Sequence, residues 1–207
     1  PFTEKYNQNN VDVYLDDESG YKYVFHNGKR LYFPPRTNES IQHEYKQLVM
    51  EQDQESPHTY FDEKCTVKPG SVFIDVGSAE GIISLDVIET VSEIYLIECS
   101  EEWIKALELT FSGYENKIHF VKKYAGRYDS DSTITLDSLL KEYEGKEIFV
   151  KMDVEGMELE VLKGATKVMT KNRCNFSCAS YHTEQAENEL KTFFSDFGYE
   201  CDNSKGY

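Results

Sequence analysis

Alternating apolar and polar positions mark the beginning of the chain. Between residues 11 and 25, two short runs place an apolar or aromatic residue at every second position, which is typical of strands that bury one face. The members of these runs are Val11, Val13, Leu15, Tyr21, Tyr23 and Phe25. The dipeptide Asn27–Gly28 predicts a two-residue hairpin turn, and helical spacing of apolar residues over 41–49 predicts a helix capped by Asn38. Residues 1–65 are therefore predicted to form a β-meander with one helix, a lid or platform for the rest of the chain.

After residue 66, strand-like and helix-like segments alternate, as short apolar runs separated by amphipathic stretches. The predicted strands are 71–77, 93–98, 117–124, 147–154, 174–181 and a sixth that begins at Tyr199. The predicted helices are 79–91, one that Ser100 caps and Gly113 ends, 135–143, one through Leu162, Ala165 and Met169, and one that Thr183 caps and Gly198 ends. This alternation predicts an α/β fold with a Rossmann-like, doubly wound, mostly parallel sheet over residues 66–207. Ligands of such sheets bind beyond the carboxyl ends of the strands.

Composition narrows the classes of partner. The formal net charge is −16, and so acidic a surface repels nucleic-acid backbone and anionic lipid, so neither is predicted as a partner. No apolar run reaches the roughly 18 residues of a membrane span. The five cysteines contain no C-x-x-C pair, and an odd number does not suggest a disulfide framework, so we predict a reduced, cytoplasmic protein. Because the chain begins at Pro1 without a methionine, we expect it to be trimmed. We also expect the last strand to be cut short at SKGY, since this fold generally closes its sheet with a further strand.

The segment FIDVGSAEG, residues 73–81, places a glycine turn between a predicted strand and a predicted helix. Gly77 and Gly81 lack side chains that would keep a ligand away from the backbone. The next strand ends in Glu98, 21 positions after Gly77 (98 − 77), near the spacing at which an acidic residue binds ribose hydroxyls. Together these features favour an adenosine-type ligand. The alternative is a turn that needs glycine only for its geometry, with Glu98 capping the next helix.

Charge selects among adenosine ligands. Asp75 and Glu80 flank the turn and no Lys or Arg occurs between residues 69 and 104, so the phosphates of NAD, FAD or ATP would meet carboxylates there. S-adenosylmethionine carries no phosphate. An acidic turn favours its cationic groups, and N–H groups at the helix start can bind its carboxylate. The predicted cofactor-binding residues of this region are Asp75, Gly77, Ser78, Ala79, Glu80, Gly81 and Glu98.

Three stretches of the chain resemble the FkbM family of S-adenosylmethionine-dependent methyltransferases: VKPGSVFIDVGSAEGIISLDVIE, IYLIECSEEWIKALELTF and IFVKMDVEGMELEVLKGA. The resemblance is most specific at KMDVEGMELEVLKGA, and the family is associated with O-methylation of hydroxyls on sugars and natural products. It implies donor contacts around Glu98 and Cys99, and it leaves the adenine contact open, with the backbone of Tyr124 or Ala125 as candidates. The chain departs from the family in having Cys99 where Pro is frequent, Ala79-Glu80 where many members have Asn, and no acidic residue in KYAG after the third strand.

Candidate catalytic groups lie where the fourth predicted strand ends. Lys151, Asp153 and Glu155 alternate there, so we expect them to share a face and to line the acceptor side. Asp153 is predicted to act as a general base for an acceptor hydroxyl or as an orienting group; the alternative is a turn-capping carboxylate paired with Lys151. Glu155 has its own alternative, which is to cap the following helix. Two carboxylates without a third ligand do not indicate a metal site, and no metal is predicted.

Two histidines are further candidates. His182 is predicted to end the fifth strand, and an imidazole at a strand's carboxyl end suits proton transfer near neutral pH. The segment EQDQESPHTYF resembles one that precedes the glycine motif in some family members. That resemblance implies that His58 reaches the site from the lid, with Tyr60 beside the donor.

We therefore predict an S-adenosylmethionine-dependent methyltransferase that acts on a hydroxyl of a carbohydrate or small metabolite. Two alternatives remain open from the residues: an NAD(P)-dependent oxidoreductase, and a non-catalytic module that binds an adenosine ligand on the same fold.

Overall fold

The computed structural model of the protein describes residues 2–7, 10–180 and 184–203. The strands are β1 (Tyr14–Leu15), β2 (Lys22–His26), β3 (Lys29–Phe33), β4 (Val72–Val76), β5 (Glu93–Ile97), β6 (Ile118–Val121), β7 (Tyr124–Ala125), β8 (Thr133–Ile134), β9 (Glu147–Met152) and β10 (Arg173–Cys178). The helices are α1 (Asn38–Glu51), α2 (Ile82–Val87), α3 (Glu101–Thr110), α4 (Leu136–Leu139), α5 (Glu158–Lys163), α6 (Thr166–Lys171) and α7 (Glu184–Asp196). Within the described ranges, no helix is long and apolar enough to cross a membrane.

The central sheet consists of five parallel strands in the order β10-β9-β4-β5-β6, which confirms the predicted doubly wound α/β fold. Strand β4 pairs with β5 on one side and with β9 on the other. The strand order therefore switches beside β4, where such sheets bind their ligands. Val76 lies level with Ile97 of β5 and Met152 of β9, so the residues that follow these three strands meet at one edge of the sheet.

Both faces of the central sheet are covered, as the continuous apolar runs predict. All five residues of β4 are buried. Because side chains alternate along a strand, Phe73 and Phe149 belong to the core on one face, while Ile74 and Val150 belong to the core on the other.

The predicted β-meander and helix are present at the start of the chain. Strands β1, β2 and β3 pair antiparallel, and Asn27 and Gly28 join β2 to β3 with φ angles of 50° and 80°, the left-handed conformations that a tight hairpin requires. The apolar residues that the meander and α1 share with the core on one sheet face are Val24, Leu31, Phe33 and Ile41. The meander and α1 are thus packed against the face that contains Phe73.

Three predicted helices differ in extent from those observed. The helix predicted over 135–143 is observed only as α4, Leu136–Leu139. Helix α2 is shorter than the predicted 79–91, because Ala79 and Gly81 have φ angles of 44° and 75° and the helix begins only after them. The single helix predicted through Leu162 and Met169 is divided into α5 and α6 at Gly164.

Two helix caps also differ from the prediction. Thr37, not Asn38, caps α1, because its Oγ1 accepts the N–H of Ser40 at 3.2 Å. Ser100 occupies the cap position of α3 as predicted, but its side chain makes no capping bond. Instead the Ser100 N–H donates to Glu98 Oε1 at 2.7 Å.

The predicted sixth strand is wrong, since the described residues 199–203 contain no strand. The Tyr199 N–H donates to the Phe194 carbonyl at 3.0 Å, which closes the end of α7. The Tyr199 ring packs against Phe176 and Phe194 at centroid distances of 5.6 and 5.8 Å. The aromatic residue that resembled the start of a strand instead anchors the end of a helix to β10.

Candidate active site

A buried ion pair joins β4 to β9 near the carboxyl ends of the two strands. Asp75 and Lys151 lie opposite one another in the register, and Lys151 Nζ lies 3.0 Å from Asp75 Oδ1. Ser84 Oγ donates to Asp75 Oδ2 at 2.6 Å, and the positive charge of Lys151 lies at ion-pair distance from Oδ1. Burial alone lowers the pKa of Lys151, but the charge of Asp75 and its hydrogen bond raise it above the ordinary value. The close ion pair of Lys151 is thus with Asp75, while the charge of Asp153, the partner in the capping alternative, has a smaller effect that also raises the pKa of Lys151.

Lys151 also holds the glycine turn. Its Nζ donates to the Gly77 carbonyl at 2.7 Å. Gly77 has a φ angle of 76°, and a Cβ atom at this position would lie 2.0 Å from the Asp153 carbonyl oxygen. Glycine is thus required by the backbone conformation and by the close approach of the chain leaving β9. The turn after β4 and the segment that leaves β9 are therefore in direct contact.

Gly81, the second glycine of the turn, serves packing. A Cβ atom there would lie 2.7 Å from Leu107 Cδ2 and 2.9 Å from Phe111 Cε2. The reason for glycine at this position is the approach of α3. Ser78 is also directed inward, since it is buried and its Oγ donates to the Asp75 carbonyl at 2.9 Å.

Four N–H groups of the glycine turn donate within the protein. The acceptors are the Ile97 carbonyl for Gly77 and Ser78, Glu98 Oε2 for Ala79 and the Ser78 carbonyl for Gly81. A ligand carboxylate at any of these four groups would have to share the N–H with its present acceptor or displace that acceptor. Binding of a donor carboxylate by N–H groups of this turn stays a prediction.

Glu98 links the glycine turn to the start of α3. Its Oε2 accepts the Ala79 N–H at 3.0 Å, and its Oε1 accepts the N–H groups of Cys99 and Ser100 at 2.8 and 2.7 Å. These bonds lie in the turn before α3, and no described side chain caps that helix, so the capping alternative is not observed. A carboxylate offers about four acceptor positions, and Glu98 is only half-buried. A ribose hydroxyl can still reach it.

The residues implied for the adenine region lie next to Glu98. The Tyr124 hydroxyl adjoins the Cys99 thiol, and this contact is the main cause that raises the pKa of Tyr124, with a smaller effect from the Glu98 charge. Tyr124 and Ala125 form β7, which pairs with β8 and begins just beyond β6. The structure thus brings these four predicted residues to one region beyond β5 and β6, with the Tyr124 ring exposed.

Glu80 is buried, although the sequence alone suggested an exposed charge in the turn. Its side chain is 8% exposed, and this burial raises the pKa of Glu80 to about 7; Lys151 opposes the shift and Asp75 adds to it. Near neutral pH, Glu80 is therefore only partly ionised. The turn is less negative than its composition implies, so Glu80 contributes less than expected to the preference for a cationic ligand.

Asp153 is the first residue after β9, and it is half-buried. Its N–H donates to the Val76 carbonyl at 3.0 Å, and its Oδ2 accepts the Tyr60 hydroxyl at 2.8 Å. Lys151 Nζ lies 5.3 Å from the centroid of the Tyr60 ring. Tyr60, from the segment after α1, therefore meets both charged residues at the end of β9.

Glu155 does not share this arrangement. Strand β9 ends at Met152, so the predicted alternation does not continue to Glu155, which is exposed and has a φ angle of 50°. Glu155 does not cap the next helix either. Met157 occupies the cap position of α5 without a side-chain capping bond, and Glu158 Oε1 accepts the Val154 N–H at 3.0 Å in the turn before the helix.

Glu51 is a neighbour of the site that sequence reasoning missed. It is the last residue of α1. Desolvation of its carboxyl raises the pKa of Glu51, with the charge of Asp153 adding to the shift and His58 opposing it. Glu51 therefore lies within electrostatic reach of both His58 and Asp153. The role of His58 at the acceptor stays a prediction. In the sequence, Glu51 is connected with a predicted site residue only by its position seven residues before His58 (58 − 51).

His182, the second predicted catalytic residue, lies outside the described residues. In the described part of the chain, no three His, Cys, Asp or Glu side chains are grouped so that they could hold a metal ion.

Comparison with known proteins identifies one family. A family model described as methyltransferase FkbM domain matches residues 5–201. The crystal structure of methyltransferase FkbM from Methylobacillus flagellatus KT is similar with a TM-score of 0.58 and 18% identity, covering 76% of this chain and 48% of that one. The chain thus spans about half the length of that protein. At this identity, the likeness shows the fold.

Two further solved structures are more distant. A precorrin 8w decarboxylase from Methanobacterium thermoautotrophicum has 16% identity, covers 64% of this chain and 66% of its own and gives a TM-score of 0.47. A precorrin-6y C5,15-methyltransferase from Geobacter metallireducens GS-15 has 14% identity, covers 66% and 67% and gives a TM-score of 0.45. Among curated proteins, a sequence search finds no match.

Proposed function

The chain belongs to the FkbM methyltransferase family, and on this premise we propose that it transfers a methyl group from S-adenosylmethionine to a hydroxyl of a carbohydrate or another small metabolite. The position of Asp153 carries the proposal. Its carbonyl oxygen closes against Gly77, and its carboxylate accepts the Tyr60 hydroxyl. A carboxylate held beside the glycine turn, at the switch in strand order, is well placed for an acceptor hydroxyl to meet a donor.

The residues at the turn suit a donor without phosphate groups. Lys151 is the basic side chain at the turn, but its ammonium is committed to Asp75 and to the Gly77 carbonyl. It therefore offers little charge to a phosphate. Glu98 would bind the ribose hydroxyls of the donor, with Tyr124 beside the adenine. When bound, S-adenosylmethionine supplies an activated methyl group on its sulfonium.

Asp153 has two tasks in the proposed reaction: it orients the acceptor hydroxyl and takes up its proton. The hydrogen bond from Tyr60 supports this role because it holds the carboxylate in one direction, and alignment of reacting groups is a large part of catalysis. A positioned general base typically contributes about 10²–10⁴-fold to the rate.

The charges around Asp153 favour an acceptor without negative charge. The Glu51 carboxyl lies near Asp153, and Glu155 is two residues further along the chain. An anionic acceptor would be repelled by these groups, whereas a neutral, hydroxyl-rich molecule would not.

Family membership argues against the oxidoreductase alternative. The non-catalytic alternative differs from the proposal only in turnover, so binding and transfer must be measured separately.

Isothermal titration calorimetry with S-adenosylhomocysteine and with NADH tests the donor class. The proposal predicts saturable binding of S-adenosylhomocysteine and none of NADH. At 100 times its Kd, a ligand stabilises the folded state by about 2.7 kcal/mol, which thermal unfolding detects as a second readout. Binding of NADH alone would reject the proposed donor. Binding of S-adenosylhomocysteine with no methyl transfer to any hydroxyl-bearing acceptor would favour the non-catalytic module.

A further inference from the structure

Residues 52–61, hereafter the strap, connect α1 to the loop before β4. The side-chain carbonyl of Gln52 accepts the Tyr60 N–H at 3.2 Å. On the other side of Tyr60, the Phe61 ring packs against Phe149 in the core, with the ring centroids 5.5 Å apart. The backbone on both sides of Tyr60 is thus anchored, so its side chain is held toward the end of β9.

Tyr60 contacts two charged groups with two different parts of its side chain. The ring centroid lies 5.3 Å from Lys151 Nζ, within the roughly 6 Å over which a cation is attracted to an aromatic face. The hydroxyl donates to Asp153 Oδ2 at 2.8 Å. One side chain from the strap therefore bridges a residue that holds the donor turn and a residue on the acceptor side.

The ring contact extends to the donor turn through Lys151. An ammonium has three N–H donors, and that of Lys151 has the Asp75 carboxylate at 3.0 Å and the Gly77 carbonyl at 2.7 Å. The Tyr60 ring covers part of the remaining surface of this ammonium. Excluding water there strengthens the Lys151–Gly77 bond, since hydrogen bonds are stronger in a low local dielectric.

Building on the function proposed above, we propose that Tyr60 is a positioning residue for methyl transfer. Its ring keeps Lys151 on the Gly77 carbonyl, so that the donor turn stays in its binding conformation. Its hydroxyl directs the Asp153 carboxylate toward the acceptor. The two effects are separable, because Tyr60→Phe removes only the hydroxyl whereas Tyr60→Leu removes both.

The role of the ring is tested with S-adenosylhomocysteine as the probe. In calorimetry, Tyr60→Phe keeps the Kd within about twofold of the parent, and Tyr60→Leu raises it about tenfold, the size expected for a desolvated cation–π contact. Tyr114→Phe is the matched control, because its hydroxyl donates to Glu89 at 3.1 Å at an exposed position. This control keeps the parent's Kd.

Amide hydrogen exchange without ligand tests the same contact independently of the donor. Tyr60→Leu is expected to speed exchange about fivefold or more in residues 76–82 and in the strap, because the contacts that keep these segments closed are lost. Tyr60→Phe and Tyr114→Phe leave residues 76–82 at the parent's rate. If the parent fails to bind S-adenosylhomocysteine, the proposed donor is wrong, and exchange alone decides the role of the ring.

The role of the hydroxyl is tested by carboxyl ¹³C NMR on aspartate-labelled protein, with Asp153 assigned through Asp153→Asn. Tyr60→Phe is expected to move the Asp153 resonance while the Kd of S-adenosylhomocysteine stays at the parent's value. An unmoved resonance would overturn the role of the hydroxyl. If residues 76–82 of Tyr60→Leu exchanged their amide hydrogens at the parent's rate, the role of the ring would be overturned. This holds even if the urea midpoint of the variant fell, since a lower midpoint alone reports only a structural contribution.

Discussion

Lys151 and Asp75 form a buried ion pair between two adjacent parallel strands, with 3.0 Å between Nζ and Oδ1. The pair lies just before the point where the chain leaves β4 for the glycine turn. Because the same ammonium holds the Gly77 carbonyl at 2.7 Å, an interaction that stabilises the sheet also shapes the candidate donor site. Stability and ligand binding are therefore expected to change together when this pair is altered.

Lys151→Met is expected to destabilise the protein by about 3–5 kcal/mol, because it leaves the Asp75 carboxylate buried without its partner. Urea unfolding measures the loss. Lys105→Met is the matched control, since Lys105 pairs with Glu108 at 3.6 Å on the surface, and such pairs contribute about 0–1 kcal/mol. Adding Asp75→Leu to Lys151→Met should recover part of the stability. Equal midpoints for the two single lysine variants would contradict the importance of the buried pair.

Gly77→Ala is expected to destabilise the protein well beyond the cost of backbone strain. A left-handed conformation costs a non-glycine residue about 1–2 kcal/mol, and here the new Cβ atom would also lie 2.0 Å from the Asp153 carbonyl oxygen. Gly70→Ala separates the two effects, because Gly70 has a nearly identical φ angle of 77° and its Cβ atom would meet no described atom within 4 Å. Thermal unfolding of both variants is the measurement. A loss at Gly77 no larger than that at Gly70 would show that the contact with Asp153 is unimportant.

Glu80→Gln is expected to change how stability depends on pH. Burial raises the pKa of Glu80 from 4.5 to about 7. Between these values the folded protein retains a proton that the unfolded chain releases, so stability falls as pH rises through this window and levels off above pH 7. Glutamine removes this dependence, so the stability of the variant relative to the parent should rise across the window by up to about 3 kcal/mol.

Urea unfolding of Glu80→Gln at several pH values between 4.5 and 7.5 would measure this trend. Glu142→Gln is the control for removal of a carboxylate from the surface, since that side chain is 85% exposed. A constant difference between Glu80→Gln and the parent over the whole range would contradict the raised pKa.

The parallel sheet could be predicted because its signal is local. Phe73, Ile74 and Val76 belong to an apolar run that suits a strand covered on both faces. In the N-terminal meander, Asn27–Gly28 likewise specifies the β2–β3 hairpin through local sequence alone. The glycine turn was recognisable for the same reason, since Gly77 follows directly after that run.

The contacts of the site could not be predicted because they join distant parts of the chain. Tyr60 and Asp153 are separated by 93 positions, and their contact depends on how the strap packs against the end of β9. Lys151 was expected beside Asp153, but the register of β9 on β4 places it opposite Asp75. The missing side-chain cap of α3 is a further difference of this kind: the Ser100 N–H donates to Glu98, which also accepts the Ala79 N–H from the glycine turn.

The decisive experiment for the proposed reaction is methyl transfer from labelled S-adenosylmethionine to a panel of neutral, hydroxyl-bearing carbohydrates and metabolites, with the parent and with Asp153→Asn. A labelled ether product is expected with the parent. With Asp153→Asn the expected rate is about 10²–10⁴-fold lower, while calorimetry shows a Kd for S-adenosylhomocysteine within about threefold of the parent, because the substitution changes the acceptor side and keeps the turn. The opposite result is an Asp153→Asn protein that forms product at the parent's rate, which would contradict the role of Asp153.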